Sequence, residues 1–469
     1  MELNGQDTFS LWKKEQEALS EQLVQYPELF KKKSRIDNLG VLKKIGIVIP
    51  DDNLPQGFIK LSPLDFIVEE IISDNNYASV EYQSSDNIQG AATPFIAADL
   101  VKVGISTLEV IKDLSSNLKI KERQVGSAGI KDAEAITAQT ITMSGVKPEA
   151  VLAHKAINFF LRNFRYTSEH IKTGGLWGNR FIIFIRTERE LQEDQIKEKL
   201  EQISKVGFWN YYWFQRFGNR TLTHWWGLCL LQGKYEKALR SYLCDPGEFD
   251  LPFFVSVRQA AAGAFGKWNE MKKIYSPYPY TFRYELQMLD SLREFRSDYV
   301  SAFRTMPDQI KLWVYAYTSY LANKVLSLMA IKHIGFQEFI PLALSSNPGA
   351  KQLYKTFLEK DKIPLDFQRS LRRFDFIRFG DPKLPTKVKV KIQKYKVLPE
   401  GLAISFDLPK GSYATTFLAH IFTLIEYKPL PSWVKKQTYD LKEVLNMGTL
   451  KSVFDRFKGA IVSKEDKIF

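Results

Sequence analysis

Cysteine is almost absent. Two in 469 residues, Cys229 and Cys244, cannot build a disulfide framework, and their spacing matches no zinc motif. The five histidines (His154, His170, His224, His333 and His420) are scattered, with no His-x-x-x-His pair. No metal site and no cofactor are therefore expected. A run of about 18 apolar residues, which a membrane helix needs, is also missing. The longest candidate, Val314 to Ile331, is interrupted by Thr318, Ser319, Asn323 and Lys324. The opening Met-Glu-Leu-Asn-Gly-Gln-Asp has neither the basic stretch nor the apolar core of a signal peptide. These absences point to a soluble, cytoplasmic protein without membrane contact. There is no internal repeat or low-complexity tract. Gly263-Ala-Phe-Gly266-Lys267-Trp268 lacks both the first glycine at the right spacing and the Ser/Thr that a phosphate-binding loop requires.

What is present is apolar and basic. Hydrophobic residues make up 45% and aromatics 13% of the chain, enough for packed cores. The length exceeds one compact domain, so two or three are expected. Against 53 Asp and Glu stand 66 Lys and Arg, a net charge of +13, which favours a polyanionic partner through counterion release.

Residues 10–33 have helical apolar spacing, as a docking helix or a surface extension. After a polar, Pro-containing passage at residues 51–57, Phe66 to Glu70 alternates as a strand does. Residues 97–114 read as a helix, with Leu100, Val103, Leu108 and Ile111 as its apolar set. Gly126 to Gln139 is a small-residue turn carrying Lys131-Asp132, then a β-branched run that predicts a strand over 136–143. Glycines there would let the backbone approach a ligand closely. Phe181 to Ile185 is continuously apolar, as in a buried strand, and Arg180 and Arg186 bracket it. A charged helix is expected over 188–205. The aromatic stretch 207–218 suits a core plug or a base-stacking platform. From Asn219 to about Arg378 the pattern is mostly helical. Residues 383–396 hold six lysines and no acid. Their period-two alternation fits a lysine-guarded edge strand or a phosphate-facing one. Ser412 is placed to cap a helix after a strand and turn.

Several of these segments, in order, resemble the TruD family of pseudouridine synthases. They are Lys60-x-x-Pro63-x-Asp65-Phe66-x-Val68-x-Glu70, Ala128-Gly-Ile-Lys131-Asp132-x-x-Ala135-Ile-Thr137-x-Gln139, Gly178-Asn179-Arg180-Phe181 and Asn210-Tyr211-x-x-x-Gln215-Arg216-Phe217-Gly218. Ser319-Tyr-Leu-x-Asn323 and Leu408-Pro-x-Gly411-Ser412-Tyr413 add weaker support. The resemblance implies an α+β protein: a catalytic domain on a mixed or antiparallel sheet, interrupted by an α-rich insert. It divides the chain into an N-terminal extension (1–50), a first catalytic part (51–218), the insert (219–380), a closing catalytic part (381–428) and a basic C-terminal extension (429–469). A monomer is expected.

The implied activity is a metal-free isomerisation of a tRNA uridine, at position 13 by resemblance. Asp132 would be the essential carboxylate, attacking sugar or base or removing the 2′ proton. Lys60 or Lys131 would keep it ionised. Tyr212 would stack on the flipped uracil, and Asn210 would bind backbone or base edge. Asn179, Arg180 and Arg216 are placed with the RNA-binding residues, and Arg186 with them as a phosphate contact; buried ion pairs holding the insert are the rival reading for the three arginines. Gln215 and Phe217 are expected as structural supports. Four positions depart from the family pattern: Ala133 replaces a basic residue, Tyr212 replaces Phe, and Trp213-Phe214 should make the rim bulkier and more apolar. A non-catalytic RNA-binding or RNA-chaperone protein on the same fold is the alternative.

Overall fold

The computed structural model describes residues 5–48, 53–73, 76–82, 87–295, 298–364 and 367–464. Asp51 and Asp52, at the head of the Pro-containing passage, and the outermost residues of both terminal extensions lie outside that set. Among the described residues, twelve strands form one mixed sheet. They are β1 (Arg35–Ile36), β2 (Gln56–Phe58), β3 (Phe66–Ser73), β4 (Asn76–Tyr77), β5 (Phe95–Lys102), β6 (Val125–Ser127), β7 (Ile136–Ser144), β8 (Phe159–Thr167), β9 (Gly178–Thr187), β10 (Lys391–Leu398), β11 (Gly401–Pro409) and β12 (Thr423–Glu426). With the helices below, this is an α+β fold.

The apolar run Phe181 to Ile185 becomes the middle of β9, and β9 carries the architecture. One side pairs along its whole length with β11, which pairs with β10. The other side is shared. Residues from Gly178 to Ile183 pair with β3, whereas Arg186 and Thr187 pair with β2. Beyond β3 the sheet continues through β7, β5 and β8, and beyond β2 through β12 and β1. The sheet therefore forks along β9, and the link from β2 to β3 lies in the fork.

Strand alternation gives the sheet two different faces. Phe66, Val68, Phe181, Ile183, Ile185, Leu402, Ile404 and Phe406 share one core. That core includes α3 (Glu193–Val206) and runs on into the helices after residue 219. Ile67, Ile182, Phe184 and Ala403 point the other way, toward Leu441, Leu445, Val453 and Phe457 of the C-terminal segment. Buried Lys442 there pairs with Glu69 of β3 at 2.8 Å.

Residues 97–114 are not one helix. β5 runs to Lys102, Gly104 turns the chain at φ 68°, and α2 (Thr107–Asn117) starts under a Ser106–Glu109 capping box. Ala97 to Val101 are buried inside the sheet, and Leu108, expected inward, is 52% exposed. Sheet pairing has overridden a short apolar pattern that suits either state. Ser412 does not cap; Tyr413 holds the N-cap position, and the Ser412 hydroxyl donates to the Pro409 carbonyl at 2.5 Å.

The long helical stretch pairs Thr223–Leu231 with Pro307–Ala330 so closely that a Cβ on Gly227 would sit 2.0 Å from the Trp313 carbonyl oxygen. The N-terminal α1 (Gly5–Gln25) is fastened to this helical region. Buried Glu15 accepts from the amides of Tyr280 (2.7 Å) and Thr281 (2.9 Å), and Leu19 packs with Leu251 and Phe253. It is a packed element rather than a free extension.

In the fork, the Arg186 guanidinium donates to Asp65 at 2.6 Å and to the carbonyls of Lys435 and Gln437 at 2.8 Å each. Arg186 thus takes the ion-pair alternative. Removing one member of such a buried pair leaves an uncompensated charge, a loss of about 3–5 kcal/mol. Arg186→Met should lower the urea midpoint accordingly, and a second change, Asp65→Leu, should restore part of it.

Candidate active site

Three elements hold the Gly126–Gln139 stretch at the fork. The first is β6, which pairs back on β7 so that the chain between them loops toward the start of β7. Close approach is needed at Gly126, where a Cβ would lie 2.5 Å from the Ile171 carbonyl oxygen. Gly129 has open space instead; its carbonyl accepts from Gln139 Nε2 at 3.0 Å. The second is α2, whose first residue Thr107 donates to Gln139 Oε1 (2.8 Å) and accepts from Lys131 N (3.0 Å). The third is the end of β5. Lys102, fully buried, donates its ammonium to the carbonyls of Ile105 (2.9 Å), Lys131 (3.3 Å) and Asp132 (2.9 Å). Burial lowers this lysine to about 8, against the pull of Asp132 and Glu109.

The loop presents the Asp132 carboxylate to Lys60 in the fork. Oδ2 pairs with the Lys60 ammonium and Oδ1 accepts from the Glu134 amide at 2.9 Å. Lys60 has a left-handed backbone, φ 58°, a strain of about 1–3 kcal/mol that persists only where surroundings enforce it. Its side chain is 7% exposed and that of Asp132 24%. Burial pushes the Asp132 carboxyl up, but Lys60, the Glu134 amide and Lys102 outweigh it, and the group titrates below the ordinary aspartate value. The balance is reasonable in size. Contacting unit charges gain about 4 kcal/mol at an effective dielectric of ~20, similar to the cost of burying an ion, and Asp132 keeps part of its hydration.

Lys131 turns away from Asp132. Its ammonium pairs with Glu70 at 2.6 Å and donates to Asn179 Oδ1 at 2.9 Å. Glu70 and Asn179 are cross-strand neighbours on the face of Phe181. Of the two lysines expected to serve Asp132, Lys60 touches it, while Lys131 and Asn179 brace the adjacent floor. Arg180 does not join them. Being one residue along β9, it points to the opposite face, forks onto Asp407 (2.8 and 3.1 Å) and lies over the Tyr77 ring. The ion-pair reading, rather than RNA contact, fits its position.

The aromatic stretch forms a second group. Asn210 is 2% exposed, with its amide nitrogen on the Pro385 carbonyl (3.2 Å) and its backbone N–H on Thr386 (3.0 Å). Tyr212 is half-buried. Asn323, from the Pro307–Ala330 helix, clamps it by accepting from its N–H and donating to its carbonyl, both at 2.8 Å. Burial pushes the Tyr212 phenol up to about 12, against Arg216 and a Ser319 hydrogen bond. The Arg216 guanidinium stands 5.3 Å from the Tyr212 ring centre, with Tyr413 at its edge, and it has no carboxylate partner among the described residues. Phe217 is fully buried, as a support should be, but Gln215 is exposed. Trp213 and Phe214 make no apolar rim, because both are buried.

Those two buried rings connect the groups. Trp213 Nε1 donates to Asp37 at 3.2 Å, and Phe214 lies under the Arg35 guanidinium at 4.0 Å. Arg35 pairs with Asp37 (2.6 Å) and with Glu426 of β12 (3.1 Å). Glu426 in turn faces Lys60 and Asp132, and the nearby cations hold its carboxyl below the ordinary value despite burial. Lys102 and this Arg35 triad have no place in the sequence reading, and Asn323 enters it only as a motif residue without a role. For Lys102 the available signal is a lysine inside the apolar stretch 97–103.

Comparison with known proteins places this geometry. The family model described as tRNA pseudouridine synthase D (TruD) matches residues 47–341. A Methanocaldococcus jannaschii protein named probable tRNA pseudouridine synthase D 1 is 30% identical over 385 residues, covering 77% of this chain and 94% of that one. A Geobacter protein named tRNA pseudouridine synthase D is 26% identical, covering 78% and 96%. The crystal structure of a putative TruD from Methanosarcina mazei shares the fold, with a TM-score of 0.60 at 22% identity over 81% of this chain and 97% of that one.

Lys60→Met removes the main cation at Asp132 and leaves burial in place. The Asp132 carboxyl should then titrate higher, followed by its ¹³C carboxyl shift; an unchanged value would assign the low pKa to the turn amides alone.

Proposed function

The chain belongs to the TruD family of tRNA pseudouridine synthases, and from that premise we propose that Asp132 is the residue on which its isomerisation depends. The reaction breaks the uridine N1–C1′ bond and joins C5 to C1′, with no atom gained or lost and no oxidant or cofactor. It needs a charged carboxylate beside the sugar, a surface for the extruded base, and a site that keeps the freed base from water. The observation carrying the proposal is the Lys60–Asp132 pair: a carboxylate held ionised yet partly open, at the fork of the sheet.

The other residues divide the work. Lys102 fixes the turn through its carbonyls, so the carboxylate is preorganised rather than recruited. Tyr212, clamped by Asn323, offers its face to the uracil, and Arg216 beside it supplies a cation for a flanking phosphate. Asn210, bound to backbone, positions Tyr212. The catalytic unit is residues 51–218 with 381–428, and the helical residues 219–380 brace it through Asn323. The substrate is a uridine of tRNA, position 13 by resemblance. A non-catalytic RNA-binding protein would have no use for an ionised, preorganised Asp132.

Asp132→Asn should abolish pseudouridine formation in a tRNA transcript, mapped chemically, while tRNA affinity stays within a few-fold. Normal turnover by that variant would sink the assignment, and binding without isomerisation by the wild type would favour the chaperone reading. Tyr212→Ala should cost the stacking contribution, about 1–3 kcal/mol, in kcat/KM, and Tyr212→Phe should retain it.

The pH dependence follows from Lys102. Above about 8 its ammonium loses a proton, and with it one donor to the turn and a charge facing Asp132. The kcat should fall through a single ionisation there, and Lys102→Met should be slow and lack that ionisation. Stability moves oppositely. The folded state binds this proton less tightly than the unfolded chain, so this group favours folding increasingly as pH rises from about 8 to 10.5.

A further inference from the structure

The two groups of the candidate active site are joined at one corner, and an exposed tryptophan stands there. We propose that Trp177, with Lys410 beside it, is an RNA subsite: a base flanking the target uridine stacks on the indole, and its phosphate pairs with the ammonium. This rests on the pseudouridine synthase reading of Asp132.

Position is the first support. Trp177 immediately precedes β9, and its backbone is held from both sides. Its N–H donates to the Ile71 carbonyl of β3 at 3.0 Å, and its carbonyl accepts from the Lys410 N–H, just past β11, at 2.9 Å. Asn179, two residues on, is bound by Lys131, the neighbour of Asp132. The turn before Trp177 is tied to the Asp132 loop directly, the Gly174 N–H donating to the Ala128 carbonyl at 2.7 Å. Three residues beyond Lys410, the Tyr413 ring lies edge-on to Tyr212 with centroids 6.3 Å apart, and its hydroxyl meets Arg216 at 3.5 Å. Trp177 is thus anchored to the carboxylate loop on one side and to the stacking group on the other.

Exposure is the second. Indole carries a large apolar surface that is ordinarily packed away, and Trp213, Trp226, Trp268 and Trp313 are buried, but Trp177 is 44% exposed. Its ring makes no aromatic, cation or hydrogen-bond contact among the described residues, so both faces are free of a competing partner. The adjoining turns leave it uncovered. Gly174 and Gly411 have left-handed backbones, φ 84° and 82°, and a Cβ on either would meet nothing within 4 Å. Ile130, 67% exposed on the Asp132 loop, gives the same rim a second uncovered apolar side chain.

Charge is the third. Lys410 is exposed, and its ammonium donates to the Gly174 carbonyl at 2.9 Å. That neutral partner takes one of three N–H donors and none of the charge, and no carboxylate pairs with Lys410 among the described residues. An open aromatic face with an unneutralised cation beside it is the combination that holds single-stranded nucleotides. A strand whose uridine has left its stack to reach Asp132 has neighbours that have lost a stacking partner, and Trp177 supplies one.

The test uses the full chain and unmodified tRNA transcript. Trp177→Ala should lower kcat/KM about 10-fold, with most of the loss in KM rather than kcat. Trp177→Phe, which keeps a stacking face, should recover most of it. In an Asp132→Asn background, Trp177→Ala should weaken tRNA binding by a similar factor without changing the slope of log affinity against log salt. Lys410→Ala should lower that slope by about one, as for one phosphate contact. Saturating tRNA should quench a part of the wild-type tryptophan emission that is missing from Trp177→Phe, a readout that stands even if the alanine variant misfolds. An unchanged KM in folded Trp177→Ala, a loss that Trp177→Phe does not recover, an unchanged salt slope in Lys410→Ala, or equal quenching of wild type and Trp177→Phe would overturn the subsite. A wild type that forms no pseudouridine yet binds tRNA about 10-fold more tightly than Trp177→Ala would overturn the catalytic reading and leave the subsite standing.

Discussion

Burying a carboxylate costs several kcal/mol unless a cation is buried with it, and the arrangement around Asp132 follows from that constraint. The cation is Lys60, and reaching Asp132 requires a left-handed backbone at Lys60 in the link between two strands that share β9. That link is held in turn by Asp65 and Arg186, and Arg186 is held by carbonyls of the C-terminal segment. Each step exchanges an unpaired polar group for a paired one. The chain of partners therefore runs from the candidate reactive carboxylate to a segment more than three hundred residues away in sequence.

The other face of the same logic appears at Arg180 and Lys131. Both are cations near the site in sequence, and both are neutralised by carboxylates, Asp407 and Glu70. What remains uncommitted among the candidate RNA contacts is Arg216, beside Tyr212. Few of the proposed RNA-facing cations are thus left without a carboxylate among the described residues, although the chain as a whole is strongly basic.

The legible parts of this fold were those where one pattern has one solution. The continuous apolar run of β9, fed by glycines, and the alternation in β3 read as strands of a buried sheet, and they are strands. The lysine alternation over residues 387–391 gave exposed Lys389 and Lys391 beside buried Val388 and Val390, although Lys389 and Val390 lie between two strands, Lys387–Val388 and Lys391–Leu398. Residues 97–114 were not legible, because a strand, a glycine turn and a helix in succession imitate one helix of average length. That error also hid Lys102. At the site, the order of motifs pointed to Asp132 and Lys60, but strand parity was needed to separate Asn179 from Arg180. The direction of a side chain is fixed by register, and register is a tertiary property. The Arg35–Asp37–Glu426 triad joins residues far apart in sequence with no periodic signal, and nothing local marks it.

The sharing of β9 also has a consequence for how the molecule is made. Its β3 and β2 partners precede it in the chain, so one side can pair as soon as β9 is synthesised. Its other side pairs with β11, and the entire helical stretch from residue 219 comes between. During synthesis, β9 must therefore wait with a long, apolar edge unpaired while several helices, rich in local contacts, emerge and pack. Local structure forms faster than distant pairing, and an open apolar edge invites association with other chains. The helical stretch is accordingly a timing element as well as a brace: the duration of its synthesis sets how long the half-built sheet is exposed.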